Sequence, residues 1–135
     1  MNIALVASNS KNDLMVQFCI AYCGILHGHD LCATGTTAKL ISEATGLQVK
    51  SYLSAGQGGL QQIAARIAYN ELDLVFFFVD PQSPAYESEL ATLCRLCDQY
   101  TIPFASNVAT AEVLIQGLRR GDLDWRNIVN PHNHN

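Results

Sequence analysis

Five short apolar runs recur along the chain, and each is followed by a stretch whose apolar residues fall three and four positions apart. The first run, Ile3 to Ala7, has no polar interruption and reads as a strand; from Lys11 to Gly28, Leu14, Phe18, Cys19, Tyr22, Ile25 and Leu26 then recur at helical spacing. The alternation continues as strand 31–34 and helix 36–45, strand 48–53 and helix 59–70, strand 73–79 and helix 86–100, strand 103–107 and helix 109–119. Strands rich in Val, Ile and Phe without polar alternation predict a parallel sheet covered on both faces. The expected fold is therefore α/β, a single-domain, doubly wound, five-stranded parallel sheet over residues 1–121. Residues 122–135 form a C-terminal tail, partly docked through Trp125, Ile128 and Val129, with its last residues loose. In such folds ligands bind beyond the carboxyl ends of the strands. Five loops converge there: Ser8-Asn9-Ser10, Thr34 to Thr37, Ser54 to Gly59, Asp80-Pro81 and Ser106-Asn107.

Composition narrows the function classes. The 135 residues are 49% hydrophobic, enough to bury a core unaided. The longest apolar run, Leu74 to Val79, falls far short of the ~20 residues that span a bilayer. Residues 1–8 lack the basic start and long apolar core of a signal peptide, so a cytoplasmic protein without a membrane partner is expected. The net charge of −4, with only Lys11, Lys39, Lys50 and five arginines, leaves no basic face for a nucleic-acid backbone. Cys19, Cys23, Cys32, Cys94 and Cys97 read as reduced packing residues. Cys94 and Cys97 sit within a helical pattern rather than at a strand-to-helix turn, and His27 and His29 read as helix-end caps, so no metal is expected.

Two strand-to-helix turns carry the candidate chemistry. At Thr34-Gly35-Thr36-Thr37 a buried strand passes directly into a helix, whose first N–H groups lack intrahelical partners and lie at the positive end of the helix dipole. Three hydroxyls gather at the same turn, although threonine also serves as an ordinary helix cap. Ser54-Ala55-Gly56-Gln57-Gly58-Gly59 is a second such turn, where missing Cβ atoms let a ligand reach backbone amides. Neither turn has the Walker or dinucleotide pattern, so a small phosphorylated metabolite is the expected ligand rather than a nucleotide cofactor.

The ordered set Ile3 to Ala7, Ala33-Thr-Gly-Thr-Thr37, Ala44-Thr-Gly46, Leu53-Ser54, Gly58-Gly59, Gln61-Gln62, Phe77-Phe78, Asp80-Pro81, Ile102-Pro103 and Ser106-Asn-Val-Ala-Thr-Ala111 resembles the methylglyoxal synthase family. The resemblance spans residues 2–120. It implies conversion of dihydroxyacetone phosphate to methylglyoxal and phosphate, without metal or organic cofactor, in a homo-oligomer that is commonly a hexamer. The family's phosphate cradle falls on Thr34, Gly35, Thr36, Thr37, Ser54, Ala55, Gly58 and Gly59, and a family lysine falls on Lys11 or on Asn12. Ser8, Asn9 and Asp80 line the same edge.

The departures fall in the chemistry. Leu60 stands where the family has the carboxylate that removes the carbon-bound proton, and Tyr86 is nearest the place of the family's histidine. Glu89 replaces a neighbouring aspartate, and Ser8-Asn9 replaces His-Asp. Losing one positioned acid or base costs ~10²–10⁴ in rate. The expectation is a phosphate-binding homologue with impaired catalysis. Its alternatives are an active lyase using Tyr86, Glu87 or Glu89, or a partner-binding assembly protein.

Overall fold

The structure is a computed structural model that describes residues 1–130. Five strands, β1 (Asn2–Ala7), β2 (Asp30–Thr34), β3 (Val49–Tyr52), β4 (Leu74–Phe78) and β5 (Phe104–Ala105), form one parallel sheet in the order β3-β2-β1-β4-β5. The helices are α1 (Asn12–Ala21), α2 (Cys23–Leu26), α3 (Gly35–Thr45), α4 (Gly59–Ala68), α5 (Tyr86–Gln99), α6 (Val108–Arg120) and α7 (Arg126–Val129). Single 3-10 turns at Asn9–Lys11 and Ala55–Gln57 precede α1 and α4.

Successive strand residues point to opposite faces, and both faces are buried. Ile3, Leu5, Ala33, Phe76 and Phe78 pack with Phe18, Ile41 and Ile115 from α1, α3 and α6. Ala4, Val6, Cys32, Val75 and Phe77 pack with Ile63, Ile67, Leu93 and Cys97 from α4 and α5. Two cores on one sheet explain why the central strands show no polar alternation. At the edge, β3 keeps Lys50 and Ser51 exposed.

Three expectations are corrected. The helix expected over 11–28 breaks at Tyr22, which leaves helical geometry at φ −112° and ψ 22°. Its ring packs on Phe18, with centroids 5.0 Å apart, and its hydroxyl donates to the Glu112 carboxylate. Gly24 then weakens the turn that follows. The fifth strand is cut to Phe104–Ala105: Pro103 has no N–H to give a ladder, and Asn107 already caps α6 by accepting the Thr110 N–H.

The tail meets the fold through Leu123 in the core and through polar residues, not through the apolar residues expected to dock. Ile128, Val129 and Trp125 are 78%, 48% and 38% exposed, whereas Arg126 and Asn130 are wholly buried. Arg126 donates through Nη2 to the Leu72 carbonyl at 2.8 Å and to Asn70 Oδ1 at 2.9 Å, and through Nη1 to the Tyr100 carbonyl at 3.2 Å. Its Nε lies 3.4 Å from Asp73 Oδ1, and Asp73 also accepts from the Asn2 N–H and Asn130 Nδ2 at 2.8 Å each. Carbonyls and a carboxylate at the amino edge of β4 need donors once buried, and apolar side chains supply none. The expectation of loose final residues concerns 131–135, outside the described residues.

Candidate functional site

The two turns singled out in the sequence touch. β2 ends at Thr34, which takes extended geometry (φ −73°, ψ 152°) as the cap of α3 and makes no side-chain cap bond. Thr34 therefore does not spend its hydroxyl as an ordinary cap. The next residue, Gly35, donates its N–H to the Leu53 carbonyl at 3.3 Å, and a Cβ built on it would lie 3.3 Å from the Ser54 nitrogen. The absent side chain is what lets the first turn lie against the second.

The second turn is shaped by its own close contacts. The Ser54 carbonyl accepts from the N–H groups of Gln57 at 3.0 Å and Gly59 at 2.9 Å, and Gly58 adopts a left-handed φ of +106°. A Cβ on Gly59 would stand 1.9 Å from the Leu53 carbonyl oxygen. Gln62 reaches back from α4 to accept the Leu53 N–H at 2.8 Å, and Ser54 Oγ donates to Gln57 Oε1 at 3.1 Å. The result is a pair of adjoining helix entrances, α3 and α4, whose first-turn N–H groups lie at one edge of the sheet.

Around this pair, Thr36 is exposed while Thr37 is buried and donates to Asn12 Oδ1 at 2.6 Å. Asn12, the first residue of α1, is thus bonded to the threonine turn. The charge of Lys11 instead helps to lower the pKa of Asp80, after the larger effects of the Gln82 N–H and the Ser10 hydroxyl. Asp80 spans two loops: its Oδ1 accepts from the Gln82 N–H at 2.9 Å, and its Oδ2 from Ser10 Oγ at 3.1 Å. Its own N–H donates to Ser8 Oγ at 3.1 Å. Ser8 is half-buried and Asn9 is exposed.

The proposed catalytic replacements separate. Leu60, at 9% exposure, and Glu89, half-buried in the first turn of α5, line the same groove of about 200 Å³, with Gln61, Ala64, Ser88 and Leu93 among the other walls. Glu87 is exposed and outside that groove, and Tyr86 packs against the core beneath α4 and α5. No residue of the two turns lines the groove, although Leu60 directly follows Gly59. No cysteine is among the groove's lining residues, and burial pushes the thiols of Cys19 and Cys97 up to about 12, which leaves them protonated packing groups. The bond of Asn12 to Thr37 and the groove shared by Leu60 and Glu89 depend on tertiary packing, which sequence spacing does not show.

A doubly wound parallel sheet with glycine-rich turns, hydroxyls and a bridging carboxylate at its carboxyl edge defines an α/β protein of the kind that takes its ligands at that edge. The MGS-like domain family matches residues 15–106. A protein named methylglyoxal synthase from Caldicellulosiruptor saccharolyticus is 56% identical over 132 residues, 97% of this chain and 94% of that one. Another of that name, from Geobacillus thermodenitrificans, is 53% identical over 96% of this chain and 90% of its own. The crystal structure of methylglyoxal synthase from Elizabethkingia anophelis superposes with a TM-score of 0.77 at 38% identity, covering 84% of this chain and 76% of that chain. This chain belongs to the MGS-like domain family.

Proposed function

We propose that the protein is an attenuated carbon–oxygen lyase of the methylglyoxal synthase type, seating the phosphate of dihydroxyacetone phosphate on the turns at 34–37 and 54–59 and using Glu89 as proton acceptor. The observation that carries this reading is the groove shared by Leu60 and Glu89. It offers a carboxylate beside the position where the resemblance expects one and this chain has leucine. The name carried by relatives more than half identical over nearly the whole chain supports the same reaction.

The chemistry needs no co-reactant. Removal of a proton from the hydroxyl-bearing carbon gives an enediolate, whose electron pair moves to break the carbon–oxygen bond to phosphate. The remaining enol takes a proton on carbon and becomes methylglyoxal. Amides at the two helix entrances, with the hydroxyls of Thr34 and Thr36, hold the departing dianion. Without the family's histidine and with a displaced carboxylate, turnover falls ~10²–10⁴ below that of an enzyme with both groups in place. The homo-oligomer, up to a hexamer, that the resemblance implies is part of the same proposal.

A second reading is favoured by Leu60 itself. It packs with Ala4, Val6 and Ile63 in the core, and an apolar wall spares bound phosphate the repulsion of a nearby anion. On that reading the protein binds a phosphometabolite without turnover, as a regulatory homologue. Purified protein given dihydroxyacetone phosphate separates the two. Phosphate release above buffer, lost in Glu89→Gln while phosphate still raises the melting temperature, supports the lyase. Thermal stabilisation without release leaves the binding homologue, and release unchanged in Glu89→Gln overturns the assignment of the base.

A further inference from the structure

At the edge of the sheet opposite the two turns, the amino ends of β1, β2 and β3 open into a hollow of about 1150 Å³. Six residues of β1 at ~3.3 Å each separate the two edges by ~20 Å, so the hollow is no extension of the turns. Its lining is unusual for a chain of net charge −4. Of eight lysines and arginines and four histidines in the whole sequence, Lys50, Arg66, His27 and His29 all line this one space. Asp30 is the only carboxylate among its described lining residues.

Three of these side chains are held in place. Arg66 is half-buried, with Nε donating to Glu71 Oε2 at 3.2 Å, and the Lys50 ammonium lies 5.2 Å from the centre of the Tyr52 ring. His29 Nδ1 is 3.1 Å from the Met1 amino group. An imidazole that accepts from an ammonium at Nδ1 carries its proton on Nε2, which makes it a donor there. Lys50, Arg66 and the Met1 ammonium outnumber Asp30 and the Glu71 carboxylate paired with Arg66, and a concave space with fixed donors and such an excess raises the local concentration of opposite charge.

We propose that this hollow is a second ligand site, which takes a small organic polyanion through Lys50, Arg66 and the imidazoles of His27 and His29. Its volume exceeds what a bare phosphate would fill, and its converging donors suit carboxylate or phosphate oxygens. The proposal stands apart from the lyase reading, since it uses none of the residues of the two turns.

The test follows histidine ring resonances by proton–carbon correlation NMR during titration with citrate and, separately, inorganic phosphate. His27→Ala and His29→Gln assign the signals. Saturable movement of both with citrate, its midpoint weakened roughly tenfold in Lys50→Glu and less in Lys50→Gln, upholds the site for carboxylates. Saturation by phosphate with the same dependence on Lys50 upholds it for phosphate-bearing ligands. A linear drift into tens of millimolar, or equal midpoints in both Lys50 variants and the parent, overturns the proposal. Citrate has no phosphate to seat on the turns, so a failed lyase assay and a failed titration are separate results.

Discussion

At the scale of single residues, the candidate site depends on where side chains are missing. Gly56 and Gly59 lie three positions apart in one turn, yet the space around them differs completely. A Cβ at Gly56 meets nothing within 4 Å, whereas one at Gly59 would lie 1.9 Å from a backbone oxygen that cannot move without breaking the turn. Gly59→Ala should therefore destabilise by ~2–4 kcal/mol and abolish stabilisation by phosphate, because the amide-bearing backbone must shift. Gly56→Ala should be neutral or stabilise by ~0.4–1 kcal/mol through the unfolded chain. Urea denaturation with and without phosphate checks both, and equal losses at the two positions would refute the close-approach argument. Thr37 and Asn12 make the complementary point. Their 2.6 Å bond joins α3 to the start of α1, so the hydroxyl nearest the turn's base is already partnered before any ligand arrives.

At the scale of elements, burial on both faces decided what was legible. β1, β2 and β4 are uninterrupted apolar runs because two cores press on them, and hydrophobic pattern alone locates them within a residue or two. The turns after β2 and β3 were legible for a different reason, since glycine and threonine at strand ends report backbone geometry directly. The rest was not readable from pattern. The break at Tyr22 depends on partners in α1 and α6, the early end of β5 depends on Asn107 capping α6, and the nearness of Glu89 to Leu60 depends on how α4 meets α5. Arg126 and Asn130 hold the tail because the surface that receives them is made of carbonyls and Asp73, which no apolar pattern signals. Arg126→Ala should cost ~3–5 kcal/mol, since it leaves Asp73 buried without its cation. Ile128→Ser, at an exposed position of the same short helix α7, should stay within ~0.5 kcal/mol of the parent. Thermal melts of the two variants test this, and the reverse order would show that the apolar residues hold the tail after all.

At the scale of the whole molecule, the two edges of the sheet carry opposite electrostatic problems. The carboxyl edge holds Asp80, whose carboxylate is favoured by the Gln82 N–H, then by the Ser10 hydroxyl, with a smaller effect of Lys11, so its pKa lies below the usual 3.8. The amino edge holds His29, whose pKa lies below 6.5 through burial first and the Met1 ammonium second, against the weaker upward pull of Asp30 and Asp73. For Asp80 the folded state binds its proton more weakly than the unfolded chain, so its contribution is present above pH 3.8 and is lost as pH falls through the lowered folded value. For His29 the unfolded chain also takes up the proton first as pH falls below 6.5, so stability rises with pH between the folded value and 6.5 and is complete above it. Both groups therefore weaken the fold on the acid side, in two separate windows. His29→Gln removes the upper window and leaves the lower one. Urea midpoints for the parent should fall between about pH 7 and pH 5 and fall again near the carboxylate range, while the variant should stay level across the first interval. A variant that keeps the parent's slope between those values would place the histidine's proton outside the folding equilibrium and move the source of the acid sensitivity elsewhere on the amino edge.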